Sequence, residues 1–375
     1  MNLPVLDKLN PDVAALNPYE PGRPIEEVAR EMGLNVNEIV KLASNESAIG
    51  TSPKAIAALQ AALPESYRYP DGGAWHLRNK LAVRYSVTRD QIAVGNGSNE
   101  ILELIGHCFM TPGTSAVFSA HAFIVYKLVA QLFGIEQREI PMTDGLVHDL
   151  EAMLAAIDET TTVVFVCNPN NPTGTMAAND AIVDFMSRVP DHVLVVFDEA
   201  YAEIALSEMP DTMQYVHAER SVIITRTFSK AYGLAGLRVG YGIAPAPVIA
   251  ALLQARQPFN VNLLAQVAGC AALDDDAFIA AGRAVYRAGR TTIEDACKKL
   301  RLRFIPTHAN FMLIEAGRKG TADMNGGAVT QALQERGVIV RPVAGYGLPQ
   351  YFRVNFGTAS ENQRFVEALA DVLKT

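Results

Sequence analysis

The sequence predicts an α/β protein with a large sheet covered by helices, followed by a smaller α+β domain. Short β-prone runs alternate with helical patterns from Gln91 onward, which is the order expected of a βα-alternating core. Several of these runs are nearly all apolar, as expected of strands buried on both faces. After about Pro258 the alternation gives way to one long helical pattern and a second group of strand candidates.

The individual elements can be predicted in chain order. The first residues are rich in proline, which resists regular structure, and they precede a helix at 24–32, a strand at 38–43 and a helix ending at 62. The strand candidates of the large sheet are residues 91–94, 115–118, 161–166, 193–197, 222–225 and 239–243. The last part has helices at 276–300, at 326–336 and from 360, and strand candidates at 302–305, 310–314, 338–340 and 352–355. We therefore expect an amino-terminal segment (1–45) that packs with the small domain, a large domain (46–265) and a small domain (266–375).

Composition excludes several classes of protein. With 375 residues, 49% of them hydrophobic and only 19% charged, the chain is long and apolar enough for a substantial core. Its net charge of −8 argues against nucleic acid as a partner. The four cysteines lack the spacing of a zinc or redox motif, so no metal is expected. The amino terminus resembles neither a secretory signal nor a membrane span, and we expect a cytoplasmic protein.

Lys230 is the candidate reactive residue. It follows the β-prone run 221–225 and precedes a stretch with several glycines, so we expect it just past the carboxyl end of a strand. Ligands of open α/β sheets bind at those ends. A lone lysine is usually a solvated surface charge, but lysine amines also form Schiff bases with carbonyl cofactors, of which pyridoxal 5′-phosphate (PLP) is common. The PLP hypothesis therefore depends on partners elsewhere in the chain.

Two other predicted strands end in polar groups that suit the ring of PLP. Asp198 follows the run 193–197 directly, and Tyr201 comes three residues later. Asp198 can hold the ring nitrogen protonated, although capping the next helix is the commoner role for such an aspartate. Asn171 lies in a rigid Asn-Pro and Thr-Gly loop after the run 161–166. Both Asn171 and Tyr201 can donate to the phenolic oxygen of the ring.

The phosphate of PLP needs backbone amides, hydroxyls and a cation. A glycine-rich turn that opens an apolar helix is one candidate, because helix N-termini bind phosphate; helix capping is the alternative for its polar residues. The turn matches neither a P-loop nor a nicotinamide-binding fingerprint. Hydroxyls next to Lys230 and a nearby arginine provide the other groups. The candidates are Gly97, Ser98, Asn99, Thr227, Ser229 and Arg238.

In this order and spacing, these motifs resemble the PLP-binding set of the class I/II aminotransferases. The set consists of Thr227-x-Ser229-Lys230 with Arg238, Asn171-Pro172-Thr173-Gly174, and Asp198-x-x-Tyr201. The resemblance covers nearly the whole chain and is closest to the histidinol-phosphate aminotransferases. It includes Asn17-Pro18-Tyr19, Lys41-Leu42-Ala43-Ser44-Asn45-Glu46, Arg68-Tyr69-Pro70-Asp71-Gly72, Arg341-Pro342-Val343-x-x-Tyr346-Gly347 and Tyr351-Phe352-Arg353.

The resemblance implies an aminotransferase fold, a large mixed or parallel sheet with a smaller α+β domain, and further site residues. Tyr69 would reach the cofactor phosphate of a neighbouring subunit, which requires a homodimer. Phe123 would stack on the PLP ring, although by its sequence alone it is a core residue. Arg353 would hold the α-carboxylate of glutamate and the phosphate of the other substrate. Arg341 and Tyr19 would belong to the same pocket, or they could be surface residues.

The resemblance also implies a reaction. PLP on Lys230 would take the amino group of L-histidinol phosphate, releasing imidazole acetol phosphate, and pass it to 2-oxoglutarate to form glutamate, a step of histidine biosynthesis. An aromatic amino acid aminotransferase is the first alternative, and a phosphothreonine-type PLP decarboxylase is the second. A non-catalytic PLP-binding regulatory module is the alternative from another class.

Overall fold

The computed structural model describes residues 3–16, 18, 21–316 and 325–374. Tyr19, one of the predicted site residues, lies outside this part of the chain. The described strands form sheets of seven, four and two strands. They are β1 (Val40–Lys41), β2 (Ile92–Gly95), β3 (Ser115–Ser119), β4 (Glu136–Ile140), β5 (Thr161–Cys167), β6 (Leu194–Asp198), β7 (Val222–Thr227), β8 (Gly240–Ile243), β9 (Phe304–Ile305), β10 (Phe311–Glu315), β11 (Val338–Ile339), β12 (Arg341–Pro342) and β13 (Tyr351–Asn355).

The large sheet has the order β2-β8-β7-β6-β5-β3-β4 and is mixed. Strands β3 to β7 run parallel, whereas β8 is antiparallel to both of its neighbours, β7 and β2. Each predicted strand between residues 91 and 243 is present. In β5, Val164 and Val166 pack into one hydrophobic cluster, and Val163 and Phe165 pack into the cluster on the other face. This alternation explains why the central strands are apolar along their whole length.

Sequence analysis missed β4. Its residues are Glu-Gln-Arg-Glu-Ile, and it pairs only with β3 at one edge of the large sheet. An edge strand is partly solvated, and charged side chains there protect its free backbone groups from pairing with other chains. A search for apolar runs therefore does not find such a strand.

Helices cover both faces of the large sheet. Among the described residues, none is long and apolar enough to cross a membrane. The long helix predicted at 276–300 is present over those residues. The helices are α1 (Pro11–Ala14), α2 (Ile25–Met32), α3 (Pro53–Ala62), α4 (Trp75–Tyr85), α5 (Gly97–Phe109), α6 (Ile124–Leu132), α7 (Leu150–Ala155), α8 (Asn179–Arg188), α9 (Met213–His217), α10 (Ala246–Ala255), α11 (Leu263–Ala272), α12 (Asp276–Leu300), α13 (Gly326–Gln334) and α14 (Ala359–Val372).

The amino-terminal segment packs against the carboxy-terminal part of the chain. Strand β1 pairs in parallel with β11, with Val40 opposite Val338. The strand predicted at 38–43 is shorter in the structure, because residues Val36–Glu38 form a 3-10 turn and the chain bends at residues 43–44. The carboxy-terminal sheet is antiparallel, in the order β12-β13-β10-β9. These contacts agree with the expected packing of residues 1–45, while the domain boundaries stay a prediction.

Candidate active site

A cavity of about 230 Å³ opens at the carboxyl ends of β5, β6 and β7. Its wall also includes the first turn of α5 and residues from the smaller sheet. It therefore gathers side chains that lie far apart in the sequence. The predicted site residues that line it are Ser98, Asn99, Phe123, Asn171, Asp198, Tyr201, Thr227, Ser229, Lys230, Arg238, Arg341 and Arg353.

Lys230 lies three residues after the end of β7. Its Nζ donates a hydrogen bond to the carbonyl oxygen of Ser44 at 3.0 Å. Burial, together with the positive charges of Arg353 and Arg238 and against the opposing effect of Glu46, lowers the pKa of this amine to about 8. More of the amine is thus neutral near pH 7 than for an exposed lysine. The neutral amine is the form that attacks a carbonyl carbon or accepts a proton.

Asp198 is the last residue of β6 and is only 2% exposed. Its Oδ2 accepts a hydrogen bond from the Tyr126 hydroxyl at 2.6 Å. Its Oδ1 accepts no hydrogen bond of good geometry from the described residues. Burial raises the pKa of this carboxyl, and the hydrogen bond from Tyr126 opposes the increase. A buried carboxylate oxygen that lacks a donor fits a ligand N–H, and the protonated ring nitrogen of PLP supplies one.

Tyr126, the partner of Asp198, was not among the residues predicted from the sequence. This residue lies in α6, a mostly apolar helix in which Tyr126, Val129 and Ala130 are buried. Its ring does pack in the core, stacked on Phe165 with centroids 4.5 Å apart. Only the folded chain shows that its hydroxyl reaches Asp198, because 72 residues separate the two in sequence.

The start of α5 is built to accept an anion beside Arg238. Gly97 has a positive φ of 73°, and a Cβ there would lie 2.6 Å from Nη2 of Arg238. A Cβ on Gly240 would lie 2.4 Å from the backbone nitrogen of Ser98. Glycine at both positions therefore lets the guanidinium and strand β8 approach the helix start. Ser98 and Asn99 line the cavity, whereas Gly97 does not.

Hydroxyl groups complete this end of the cavity. Thr227 Oγ1 donates to Ser229 Oγ at 3.0 Å, and Arg238 Nη1 lies 3.4 Å from the same oxygen. The first N–H groups of a helix have no partner within the helix. Together these donors form a cradle that suits a phosphate group.

Arg353 is buried in β13 and meets the loop that contains Asn171. Its Nη1 donates to Oδ1 of Asn171, and its Nη2 donates to the carbonyl oxygen of Ala43 at 2.8 Å. Because Oδ1 of Asn171 is occupied by this bond, its Nδ2 remains as the donor group of that side chain. Tyr201 lies nearby, and burial raises its pKa, so that the phenol keeps its proton.

The segment after β12 closes one side of the cavity. Arg341 lies in β12 and is partly buried, and Tyr346 lies in the 3-10 turn that follows. Both line the cavity. The carbonyl oxygen of Tyr346 accepts a hydrogen bond from Nδ1 of His121 at 2.6 Å, which connects this segment to the loop before Phe123. Sequence analysis noted Tyr346 in a motif but assigned it no role.

Besides Gly97, Tyr69 is a predicted site residue that does not line the cavity. Tyr69 is 83% exposed, and its ring stacks on Phe259 with centroids 4.9 Å apart. A role for Tyr69 in the site of another subunit stays a prediction. Tyr19 lies outside the described residues.

Comparison with known proteins identifies the class of enzyme. Residues 37–369 match the family model for aminotransferases of class I and II. The chain belongs to this family of PLP-dependent enzymes. Histidinol-phosphate aminotransferase 2 of Pseudomonas aeruginosa is 50% identical to it over 364 residues, which are 97% of each chain. The histidinol-phosphate aminotransferase of Akkermansia muciniphila is 48% identical and covers 97% of this chain and 98% of its own.

Solved structures show the same fold. The crystal structure of histidinol-phosphate aminotransferase from Sinorhizobium meliloti, in complex with pyridoxal-5′-phosphate, matches with a TM-score of 0.87 and 25% identity over 98% of both chains. Aspartate aminotransferase from Thermus thermophilus with maleate matches with a TM-score of 0.84, 22% identity and coverage of 97% and 99%. The predicted fold class and cofactor are thus confirmed.

Proposed function

We propose that this chain transfers the amino group of L-histidinol phosphate to 2-oxoglutarate, giving imidazole acetol phosphate and glutamate in histidine biosynthesis. The observation that carries the proposal is the convergence of Arg341 and Arg353 on the cavity that contains Lys230. Guanidinium groups beside an amine suit substrates that carry both an amino group and an anion. Histidinol phosphate has a phosphate for this position and glutamate has a carboxylate. The names of the relatives from Pseudomonas aeruginosa and Akkermansia muciniphila support the same amino donor.

Different residues of the cavity would bind the ring and the phosphate of the cofactor. When bound, PLP supplies an electrophilic carbonyl carbon and a ring that withdraws electrons from the substrate. Asp198 Oδ1 would accept the ring N–H, Asn171 and Tyr201 would donate to the phenolic oxygen, and Phe123 would pack on the ring. The residues that would hold the phosphate are Gly97, Ser98, Asn99, Thr227, Ser229 and Arg238. These roles are supported by the free oxygen of Asp198 and by the donor-rich start of α5.

Lys230 moves the proton. With the cofactor bound, its Nζ would remove a proton from the substrate carbon that bears the amino group and would return it to the carbon that came from the cofactor's carbonyl group. This transfer requires a neutral amine, which the lowered pKa of about 8 favours. The carbonyl oxygen of Ser44, 3.0 Å from Nζ, orients the amine during the transfer.

Arg341 and Arg353 hold the anion of each substrate in turn. Arg353 is fixed by its bonds to Asn171 and Ala43, so its position changes little between substrates. Arg341 is partly buried at the same cavity and provides the second cation. Tyr19 stays a proposed member of this pocket.

Steady-state kinetics with three amino donors tests the substrate. With 2-oxoglutarate as acceptor, kcat/KM should be higher for histidinol phosphate than for phenylalanine or tyrosine. A preference for the aromatic amino acids would contradict the proposal and favour the first alternative. Release of carbon dioxide without any need for 2-oxoglutarate would instead identify a decarboxylase.

A single substitution sharpens this test. Arg341→Met should lower kcat/KM for histidinol phosphate about 10-fold, the lower end of what a hydrogen bond to a charged group contributes. The effect on phenylalanine should be smaller, because phenylalanine lacks a phosphate. Arg336→Met is the matched control, since Arg336 bonds to a helix carbonyl and does not line the cavity. Equal losses for both donors would contradict a phosphate contact.

We also propose a homodimer in which Tyr69 completes the site of the neighbouring subunit. Its exposed ring and that of Phe259, which is 47% exposed, form an aromatic pair. Aromatic side chains are enriched at protein interfaces, and an exposed stacked pair suits such a surface.

Mixed dimers test the shared site. Lys230→Ala and Tyr69→Ala chains should each have low activity, but unfolding and refolding them together should restore part of it. In the mixed dimer, one site carries both substitutions and the other carries neither. Lack of recovery, with dimers still present by size-exclusion chromatography, would contradict the exchange of Tyr69. Each variant, unfolded and refolded alone, serves as the control for refolding.

The division of the chain into residues 1–45, 46–265 and 266–375 remains part of this proposal. The pairing of β1 with β11 supports the packing of the first segment with the last. A cytoplasmic location is likewise proposed, on the ground that the named relatives are biosynthetic aminotransferases.

A further inference from the structure

Residues 43–45 lie between the amino-terminal strand β1 and the cavity. They belong to a sequence motif in which the proposed reaction uses the backbone of Ala43 and Ser44 but gives Asn45 no role. Each of the three contacts a side chain of the proposed site through a hydrogen bond. The pairs are Ala43 with Arg353, Ser44 with Lys230 and Asn45 with Tyr201. The first two contacts use backbone carbonyl oxygens, so only Asn45 contributes a side chain.

Asn45 is held in an uncommon conformation. It is 1% exposed and has a φ of 53°, in the left-handed region that few residues other than glycine adopt. Its backbone N–H donates to Oδ1 of Asn355 at 3.2 Å, and its carbonyl oxygen lies 3.4 Å from Nδ2 of Asn310. Asn355 ends β13, and Asn310 directly precedes β10. The backbone of Asn45 is therefore attached to the smaller sheet.

The side chain of Asn45 reaches the large sheet. Its Nδ2 donates to the hydroxyl oxygen of Tyr201 at 3.0 Å, and both residues are buried. A phenol has one proton to donate, and its oxygen can also accept. Because Asn45 donates to this oxygen, the Tyr201 proton must be directed elsewhere. No second partner for the hydroxyl occurs among the described residues, and Tyr201 lines the cavity.

We propose that Asn45 is a positioning residue that directs the hydroxyl of Tyr201 as a donor toward the phenolic oxygen of the cofactor. This inference rests on the proposed contact between Tyr201 and that oxygen. The orientation of the amide decides the result. With Nδ2 toward Tyr201, the hydroxyl donates into the cavity; with Oδ1 toward Tyr201, the hydroxyl would donate to Asn45 and be lost to the cofactor. Because the Asn45 backbone is attached to the smaller sheet, the position of that sheet also determines where the donor lies.

The direction of the Tyr201 hydroxyl has a spectroscopic consequence. A donor stabilises negative charge on the phenolic oxygen. When Lys230 is bound to the cofactor, that oxygen then attracts the proton on the Lys230 nitrogen less strongly. The pKa of this nitrogen is therefore lower. Loss of the donor raises this pKa. The other charged groups that act on Lys230 are Arg353, Arg238 and Glu46, which stay the same in each variant.

The test is a double-mutant cycle on the PLP-loaded protein. The visible absorption band is recorded as a function of pH, and its midpoint reports the pKa of the cofactor-bound Lys230 nitrogen. Asn45→Gly removes the amide, and glycine accepts the positive φ. Asn45→Gly and Tyr201→Phe should each raise the midpoint, by about 0.5 to 1 unit for one hydrogen bond. The double variant should shift no further than Tyr201→Phe alone, because Asn45 acts through the hydroxyl. Cofactor affinity, measured by equilibrium binding, should fall in the same pattern.

Two controls separate positioning from folding. Asn35→Gly makes the same change at an asparagine that caps a 3-10 turn outside the cavity, and it should leave the midpoint unchanged. If Asn45→Gly does not fold, Asn45→Asp keeps the side-chain shape while replacing the donor with an acceptor. Comparing Asn45→Asp with and without Tyr201→Phe removes the effect of the new charge, which is present in both. The shift caused by Asn45→Asp should then be larger where the Tyr201 hydroxyl is present, and the difference between the two shifts is the part that acts through the hydroxyl.

Three results for the pH midpoint would overturn the inference. An unchanged midpoint in Asn45→Gly, or shifts from Asn45→Gly and Tyr201→Phe that add in full, would overturn the inference. An unchanged midpoint in Tyr201→Phe would overturn it as well, by removing the contact on which it rests. The choice of amino donor is measured separately, so a preference for phenylalanine would contradict the proposed substrate and leave the role of Asn45 standing.

Discussion

Replacing Lys230 with alanine is expected to reduce kcat by at least ~10²- to 10⁴-fold, the usual contribution of a general acid–base group. The loss should be large because no other lysine lines the cavity among the described residues. It should also abolish covalent attachment of the cofactor. Borohydride reduction followed by mass spectrometry should therefore find the cofactor on Lys230 in the unchanged chain and on no residue of the variant. Lys298→Ala, at an exposed residue of α12, is the matched control.

The same lysine predicts a pH dependence. Its pKa is lowered to about 8, from 10.5 for an unperturbed lysine, so the neutral amine predominates above about pH 8. The rate at which the cofactor-free protein attaches PLP should therefore rise through a midpoint near pH 8. A midpoint near 10.5 would contradict the effect of burial. If Lys230→Ala kept full activity, the chain would have to be interpreted as a PLP-binding protein whose lysine takes no part in catalysis.

Asp198→Asn is expected to lower kcat by about 10- to 100-fold, the range for losing one hydrogen bond to a charged group. A carboxylate stabilises a proton on the ring nitrogen, whereas a neutral amide does not. The ring then withdraws fewer electrons from the substrate, and the carbon proton becomes harder to remove. Stopped-flow measurement of the first half-reaction with histidinol phosphate should show the loss in the proton-transfer step. Substrate affinity should change less than this rate.

Tyr126→Phe gives a graded comparison for Asp198. It removes the hydroxyl that holds Oδ2 while it keeps the ring stacked on Phe165. A smaller loss than in Asp198→Asn is expected, because Oδ1 remains free for the cofactor. Asp274→Asn, at an exposed carboxylate paired with Lys80, should have no effect on the rate. Activity of Asp198→Asn equal to that of the unchanged chain would show that the ring nitrogen is not protonated through this residue.

The central strands and the reactive lysine could be predicted because local sequence carries their signal. Strands buried on both faces must be apolar throughout, so β5, β6 and β7 are visible as runs of hydrophobic residues. The polar residues directly after such runs lie at one edge of a parallel sheet. Lys230, Asp198 and Asn171 could therefore be assigned to one site before the fold was described. Strand β4 had no such signal, since its edge position favours charged residues.

Other features of the site depend on contacts between segments that lie far apart in the sequence. Tyr126 has the pattern of a core residue, and its function depends on a hydroxyl contact that no periodicity reports. The motif around Asn45 was recognised as characteristic, but its link to Tyr201 spans 156 residues. Tyr69 was predicted for a site, yet within one chain it is exposed on the surface. Its assignment requires a second subunit.

The sequence by itself determined the fold class, because burial imposes residue types at regular local spacing, and the resemblance of its motifs to a known family determined the cofactor. It also predicted Lys230 as the residue that carries the chemistry, from its place after a strand. The tertiary structure alone decided which oxygen of Asp198 lacks a hydrogen-bond donor among the described residues, how far the pKa of Lys230 is lowered, and that Asn45 donates to the Tyr201 hydroxyl. These properties depend on hydrogen bonds and desolvation between groups brought together only by folding. Their energies act over a few ångströms, and spacing along the chain does not encode them.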